Sequence, residues 1–240
     1  MADRAKRLGI LGGCFNPVHC GHVRLALEAL ERLGLDRVEL TPCHTPPHKD
    51  ASELLDFTLR AHLARLAVQG LSRVAVNLIE ADLPKPSYTL RTLQALKARE
   101  PGIELFFILG ASDLLVLPNW HQGRQVMQLA SFVVAPRAGD GIEAISDLMA
   151  ASWPGTIRAE EPPQGMLAAW SAKYGDGRTG RVLVLDAPGL DISASNLRDL
   201  WRQGRSLRCL TPAAVESVLN DRAGEVAAAW GERLVHAHRL

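Results

Sequence analysis

Apolar positions along this 240-residue chain alternate between a strand-like and a helix-like pattern. Residues 8–11 form a short apolar run closed by Gly12-Gly13 and read as a buried strand. From 21 to 33 the period changes: Val23, Leu27 and Leu30 recur at helical spacing, and Gly34 supplies a stop. Strands are predicted over 37–42, 74–78, 105–109, 131–135 and 182–185. Helices are predicted over 53–69, where Leu55, Leu59, Leu63 and Leu66 make one stripe, and over 89–99, which stops before Pro101-Gly102. Two more start near Ser195 and Pro212, and the tail, 222–240, sets Val226, Trp230 and Leu234 on one stripe of a packing helix. The segment 138–180, rich in Gly, Ala and Pro and carrying Trp153 and Trp170, has no clear period and reads as helix and loops of the same domain. No internal repeat is present.

Strands and helices alternating at this length imply βαβ units. The expected fold is α/β: a Rossmann-like, doubly wound parallel sheet with helices on both faces and a helical C-terminal part. One domain over 1–240 is expected, with 138–180 as a variable segment and 222–240 as a C-terminal helix. Ligands of such sheets bind at the carboxyl ends of the strands. That directs attention to the loops 12–22, 42–49, 110–120 and 136–137.

Composition narrows the choice. Hydrophobic residues at 47% and charged residues at 22% belong to a folded chain, not a disordered or collagen-like one. The net charge of +1 argues against a broad nucleic-acid-binding surface while allowing a local basic pocket. The most apolar stretch, 105–120, is broken by Gly110, Asp113 and Pro118, so no run reaches the roughly 18 apolar residues of a membrane span. The basic start MADRAKRLGILGG leads into too short an apolar run for a secretory signal. Cys14, Cys20, Cys43 and Cys209 show no CxxC spacing, and reduced thiols in the cytoplasm are expected. Homo-oligomerisation is left open by the sequence.

The first strand-to-helix turn reads Gly12-Gly13-Cys14-Phe15-Asn16-Pro17-Val18-His19-Cys20-Gly21-His22. Its glycines suit a tight turn whose backbone N–H groups approach a phosphate. It is neither G-x-G-x-x-G nor a P-loop, since no Gly-Lys-Ser/Thr follows. Two histidines at a helix N-terminus sit in a positive field that an anion would offset. Spacing alone also allows ordinary capping, or zinc shared with Cys14 or Cys20, although no second ligand pair is evident. Near the other end, Asp191-Ile192-Ser193-Ala194-Ser195-Asn196-Leu197-Arg198 offers Ser193 and Ser195 as N-caps, with Arg198 expected in the first turn. Either a bound phosphate shares that helix tip with the guanidinium, or the helix is plainly capped and Arg198 pairs with Asp191 or Asp199.

The first of these segments closely resembles the G-G-[ST]-F-[DN]-P-x-H-x-G-H signature of the HxGH nucleotidyltransferase superfamily. The second resembles its I-S-x-[ST]-x-[IL]-R motif. The resemblance implies ATP binding by Gly12, Gly13, Cys14, Phe15, His19, Gly21, His22, Ser193, Ser195 and Arg198, with His19, His22 and Arg198 as the catalytic group. Cys14 stands where the family has Ser or Thr, and a thiol is a weaker donor than a hydroxyl.

Three further segments resemble the bacterial nicotinate-nucleotide adenylyltransferases: Thr45-Pro46-Pro47-His48-Lys49, Pro86-Ser87-Tyr88-Thr89 and Leu117-Pro118-Asn119-Trp120. The similarity runs in consistent order from about 8 to 219 and is weakest over 138–180. It implies an acceptor site of Asn16, Lys49, Tyr88, Thr89, Trp120 and Arg137, in which Trp120 offers a stacking face for a pyridine ring. Where that branch has G-x-D, this chain has Gly110-Ala111-Ser112-Asp113. Ser112 takes the usual Asp position and Asp113 follows, about 100° further round a helix. The implied reaction joins ATP and nicotinate mononucleotide to give nicotinate adenine dinucleotide and pyrophosphate, with Mg²⁺ carried by the phosphates and no metal cage in the protein. Arg137 lies in R-A-G where the branch has R-P-G. The alternatives are a sister enzyme using nicotinamide mononucleotide or another phosphate acceptor, and a non-catalytic nucleotide-binding protein of the same fold.

Overall fold

The computed structural model describes residues 5–47, 51–136, 141–153, 157–174, 179–188 and 190–234. The chain opens with β1 (Arg7–Gly13), α1 (Cys20–Arg32), β2 (Arg37–Pro42), α2 (Phe57–Ala67), β3 (Val74–Val76), α3 (Thr89–Arg99) and β4 (Glu104–Gly110). Next come α4 (Ala111–Leu115), α5 (Gly123–Val126), β5 (Ser131–Ala135), α6 (Ile142–Ser152), β6 (Ile157–Glu160), β7 (Met166–Lys173) and β8 (Thr179–Leu185). Three helices end it: α7 (Ala194–Arg202), α8 (Ala213–Asp221) and α9 (Ala223–Trp230).

Among the described residues the strands make one sheet in the order β3-β2-β1-β4-β5-β8-β7-β6. Pairing is parallel from β3 through β8, and β7 and β6 add an antiparallel edge. Strand alternation sorts the core into two layers. Leu8, Ile10, Leu105, Phe107 and Leu109 point to one face, where α3, α4, α5 and α6 cover them. Leu11, Val38, Leu40, Phe106 and Ile108 point to the other, under α1, α2, α7, α8 and α9. The expected doubly wound α/β architecture is therefore present. Its strand order reverses between β1 and β4, and the crevice over their carboxyl ends is the place for a ligand.

Several boundaries differ from the periodic reading. The helix expected over 53–69 is a 3₁₀ turn at Ala51–Glu53 followed by α2. Leu54-Leu55-Asp56 leaves the helix because Asp56 caps α2, its Oδ1 accepting from Thr58 N–H at 2.7 Å, while the buried Leu55 donates its N–H to Asn16 Oδ1. β3 stops at Val76, and Asn77 starts a turn by accepting from Ile79 N–H at 3.0 Å. The segment 138–180, read as helix and loops, contains α6 and also β6 and β7. Alanine, serine and lysine dominate β7 and hide its strand character, which comes from its long pairing with β8. The strand expected at 182–185 begins earlier, at Thr179. The helix expected over 222–240 ends at Trp230, where Gly231 takes φ +90°. Val226 and Trp230 are buried, whereas Leu234 is 60% exposed and lies beyond the helix.

Candidate active site

The crevice is built first from the turn after β1. Gly12 and Gly13 end the strand, Phe15 takes φ +48°, and His19 caps α1 in extended conformation. Its N–H donates to His22 Nδ1 at 3.2 Å. The two imidazoles stack with centroids 3.6 Å apart, and Phe15 meets His22 edge-on at 4.9 Å. Because Nδ1 of His22 accepts, the proton of its neutral ring sits on Nε2, which makes the ring a hydrogen-bond donor without needing a charge. Gly21 sits close under the His19 ring: a Cβ there would lie 3.0 Å from Nδ1 of His19, so the ring would have to shift to admit one. No acidic residue occupies the first turn of α1, so the helix tip keeps its positive field.

The second helix tip comes from α7. Ser193 caps it, its Oγ accepting from Asn196 N–H at 3.1 Å. Ser195 is the second helical residue rather than a cap, and Arg198 is the fifth, one turn later than expected. Its side chain still points back to the tip, as helical side chains do. Nη1 donates to Asn16 O at 3.1 Å, and Nη2 pairs with Glu53 at 3.1 Å. The expected alternative partners do not hold; Asp199 pairs with Arg202. A Cβ on Gly21 would be 3.8 Å from Ile192 Cβ, so the two tips are packed against one another. Both line a cavity of about 650 Å³ that contains Gly12, Gly13, Cys14, Phe15, His19, Gly21, His22, Ser193, Ser195 and Arg198. The ten residues assigned to ATP by resemblance thus share one wall-to-wall space.

A second cavity, about 410 Å³, opens beside it. Tyr88, Thr89 and Trp120 line it together with Pro46 and Pro47. The loops carrying them are clipped: Ser87 N–H donates to Thr45 O at 2.9 Å, and Thr45 N–H donates to Ser87 Oγ at 3.1 Å. Tyr88 stacks on His121 at 4.1 Å and Trp120 meets Phe107 edge-on. Gly12, Gly13, Cys14, Leu109 and Asp113 border both cavities. Ser112 lines the first only, whereas Asp113 reaches both. α4 starts directly after Gly110, and from its first turn both side chains fold back over that glycine: a Cβ there would be 3.7 Å from Asp113 Oδ2 and 3.8 Å from Ser112 Oγ. Lys49 and Arg137 lie outside the described residues.

Asn16, which the resemblance places with the acceptor, borders the first cavity, and its side-chain amide is bonded within the protein. Nδ2 donates to Glu53 O at 2.7 Å, while Oδ1 accepts from Leu55 N–H and from Trp230 Nε1. Asn16 locks the turn; it does not face the second cavity.

Three residues escaped the sequence reading. Arg60 is 1% exposed and donates to four backbone carbonyls: Leu55, Cys14, Cys43 and His44. Burial lowers its pKa, against the neighbouring Cys14 and Cys43 that raise it. It ties the β1 turn to the loop after β2 beneath the junction of the cavities. Glu80, also buried, accepts from His44 N–H and Thr92 Oγ1 at the wall of the second cavity. His121 forms that cavity's rim. In the sequence, Arg60 sits within a leucine stripe and looks like a solvated helix charge; only its position among carbonyls marks it.

A doubly wound sheet with two facing helix tips at its switch point forms a site suited to a polyanion such as a nucleotide. A cytidylyltransferase-like family model matches residues 10–200. The probable nicotinate-nucleotide adenylyltransferase of Desulfatibacillum aliphaticivorans is 36% identical over 217 residues, covering 89% of this chain and 96% of that protein. The probable enzyme of the same name from Geobacter sulfurreducens is 38% identical over 219 residues, 90% and 96% of the two chains. The chain belongs to the cytidylyltransferase-like family and, within it, to the nicotinate-nucleotide adenylyltransferases. In fold it resembles Plasmodium falciparum nicotinic acid mononucleotide adenylyltransferase complexed with NaAD, at TM-score 0.67 and 15% identity over 92% of this chain and 97% of that one. No described helix is long and apolar enough to cross a membrane.

Proposed function

We propose that this protein transfers the adenylyl group of ATP to nicotinate mononucleotide, forming nicotinate adenine dinucleotide and releasing pyrophosphate. The observation carrying the reading is that the two cavities share the Gly12–Cys14 turn and Asp113. Triphosphate in the first and pyridine mononucleotide in the second would bring their phosphates together at that boundary. An oxygen of the mononucleotide phosphate attacks the α-phosphorus. The new P–O bond forms as the bond from the α-phosphorus to the bridging oxygen breaks, and pyrophosphate carries the electron pair away. The attacking phosphate is already an anion, so no base is required, and the protein's task is positioning and charge stabilisation.

His22, with its proton on Nε2, and His19 donate to the α- and β-phosphate oxygens. Ser193, Ser195 and Arg198 hold the β- and γ-phosphates against the α7 tip. Tyr88 and Thr89, at the start of α3, supply backbone amides for the nicotinate carboxylate, and Trp120 stacks on its ring. Lys49 and Arg137 are assigned to the phosphates. The donor set fits a Mg²⁺ ion that arrives with ATP, since Asp113 presents one carboxylate at the boundary and the remaining positions fall to phosphate and water. Such an ion neutralises phosphate charge. We assign the reaction to one domain over 1–240 and to the cytoplasm.

A panel of ATP with nicotinate mononucleotide, nicotinamide mononucleotide and phosphopantetheine, read as pyrophosphate release, tests this. Turnover highest with the acid is expected. Preference for the amide overturns the acceptor, and ATP binding without turnover on any acceptor overturns the activity.

A further inference from the structure

Cys14 and Cys43 stand side by side at the carboxyl ends of β1 and β2. The strands pair in register as far as Gly13 opposite Pro42. The ladder then runs one step further, through Cys43 N–H donating to Gly13 O at 2.8 Å. Neighbouring strands lie about 4.8 Å apart, within the roughly 4.4–6.8 Å between Cα atoms that a disulfide spans. Cys14 and Cys43 are the next residues in that register, and both line the second cavity, which puts their side chains on the same side. Arg60 Nη1 donates to both carbonyls, Cys14 O at 2.8 Å and Cys43 O at 2.7 Å, and so holds the two backbones together. Neither cysteine is in a disulfide. Cys14 borders both cavities and Cys43 the second.

We propose that Cys14 and Cys43 form a modification site: a dithiol that oxidants of the hydroperoxide class close to a disulfide, shutting the boundary between the two cavities. The Cys14 thiolate attacks a peroxide oxygen; the S–O bond forms, the O–O bond breaks, and the hydroxide that leaves takes up the proton Cys14 gave up on ionising. Cys43 then attacks Cys14 Sγ. The S–S bond forms, the S–O bond breaks, and the hydroxyl departs as water with the Cys43 proton. Two thiols lose two electrons, and hydrogen peroxide ends as two waters. Cys14 is the attacking partner because it borders both cavities and is open to an oxidant from either, and Cys43, which lines the second cavity alone, resolves it. The strand spacing already admits the bond, so closure fixes the two sulfurs in the wall shared by the cavities and takes the Cys14 thiol away from bound phosphate.

The effect on turnover rests on the proposed adenylyl transfer; the covalent step does not. The test treats reduced full-length protein with hydrogen peroxide and maps disulfides by mass spectrometry of unreduced peptides. ATP binding and turnover are followed before treatment, after it, and after dithiothreitol. The expected result is a Cys14–Cys43 link, loss of two hydrogen masses, and a fall in ATP binding and turnover of about tenfold or more that dithiothreitol reverses. Cys14→Ser and Cys43→Ser, each compared with its own untreated activity, lose the sensitivity. Three outcomes overturn the proposal: no link, a link at the other neighbouring pair, Cys20 and Cys209, or a linked protein with unchanged ATP binding and turnover. Should no acceptor be turned over, the peptide map and the ATP-binding arm still decide.

Discussion

His22 shows how much one side chain's behaviour depends on its neighbours within four residues. The N–H of His19 occupies its Nδ1 and so orients the ring and selects its tautomer. On the proposed mechanism, replacing His22 by Ala removes a donor to the phosphates, and kcat is expected to fall by on the order of 10² or more with the melting temperature little changed. Steady-state rates beside a thermal melt test it; an unaltered kcat refutes the assignment. The motif was legible because its members are adjacent in sequence. Asn16 belongs to the same motif, yet its task was not legible. Its partners Glu53 and Trp230 lie 37 and 214 residues away, and spacing within the motif carries no trace of them. Arg60 was hidden for the same reason, since its four carbonyl partners converge only in three dimensions.

At the scale of elements, α3 and β5 coincide with the periodic reading because their own residues carry the pattern and the stop. α2 shows where periodicity overreaches: the leucine stripe continues through Leu55, but Asp56 breaks the helix to cap it. Burial pushes the Asp56 carboxyl up, and the N–H donors of Thr58, Leu59 and Phe57 outweigh it, so its pKa lies below the usual value. Asp56→Ala is expected to lower stability by about 1 kcal/mol. With the folded pKa depressed, this contribution is present above the unfolded pKa and is lost as pH falls through the folded one. Urea midpoints of the two proteins should therefore differ near neutral pH and converge in acid; a difference that grew on acidification would contradict the cap. β6 and β7 went unread because their strand state is imposed by partners, β7 by pairing with β8 and β6 by pairing with β7, and the alanine-rich β7 announces no preference of its own.

At the scale of the whole molecule, the C-terminal segment holds the turn after β1 in place. Thr211 Oγ1 donates to Val18 O, Cys20 N–H donates to Leu210 O, and Trp230 Nε1 donates to Asn16 Oδ1. Trp230 also packs edge-on against Trp201 at 5.6 Å. Trp230→Ala is expected to cost about 3–5 kcal/mol and to weaken ATP binding through Asn16, measured by urea unfolding and by nucleotide titration. Full stability in that variant would sever the tail from the site. The sequence by itself determined the alternating elements, the sheet class and the two motifs at the helix tips, because strand and helix periods and contiguous motifs are properties of neighbouring residues. Only the tertiary structure decided that the two motifs face each other, that Asn16 and Arg60 brace the turn, and that Cys14 meets Cys43. Those contacts join positions as far as 214 residues apart, and distance along the chain sets no rule for which distant groups meet until the sheet order is fixed.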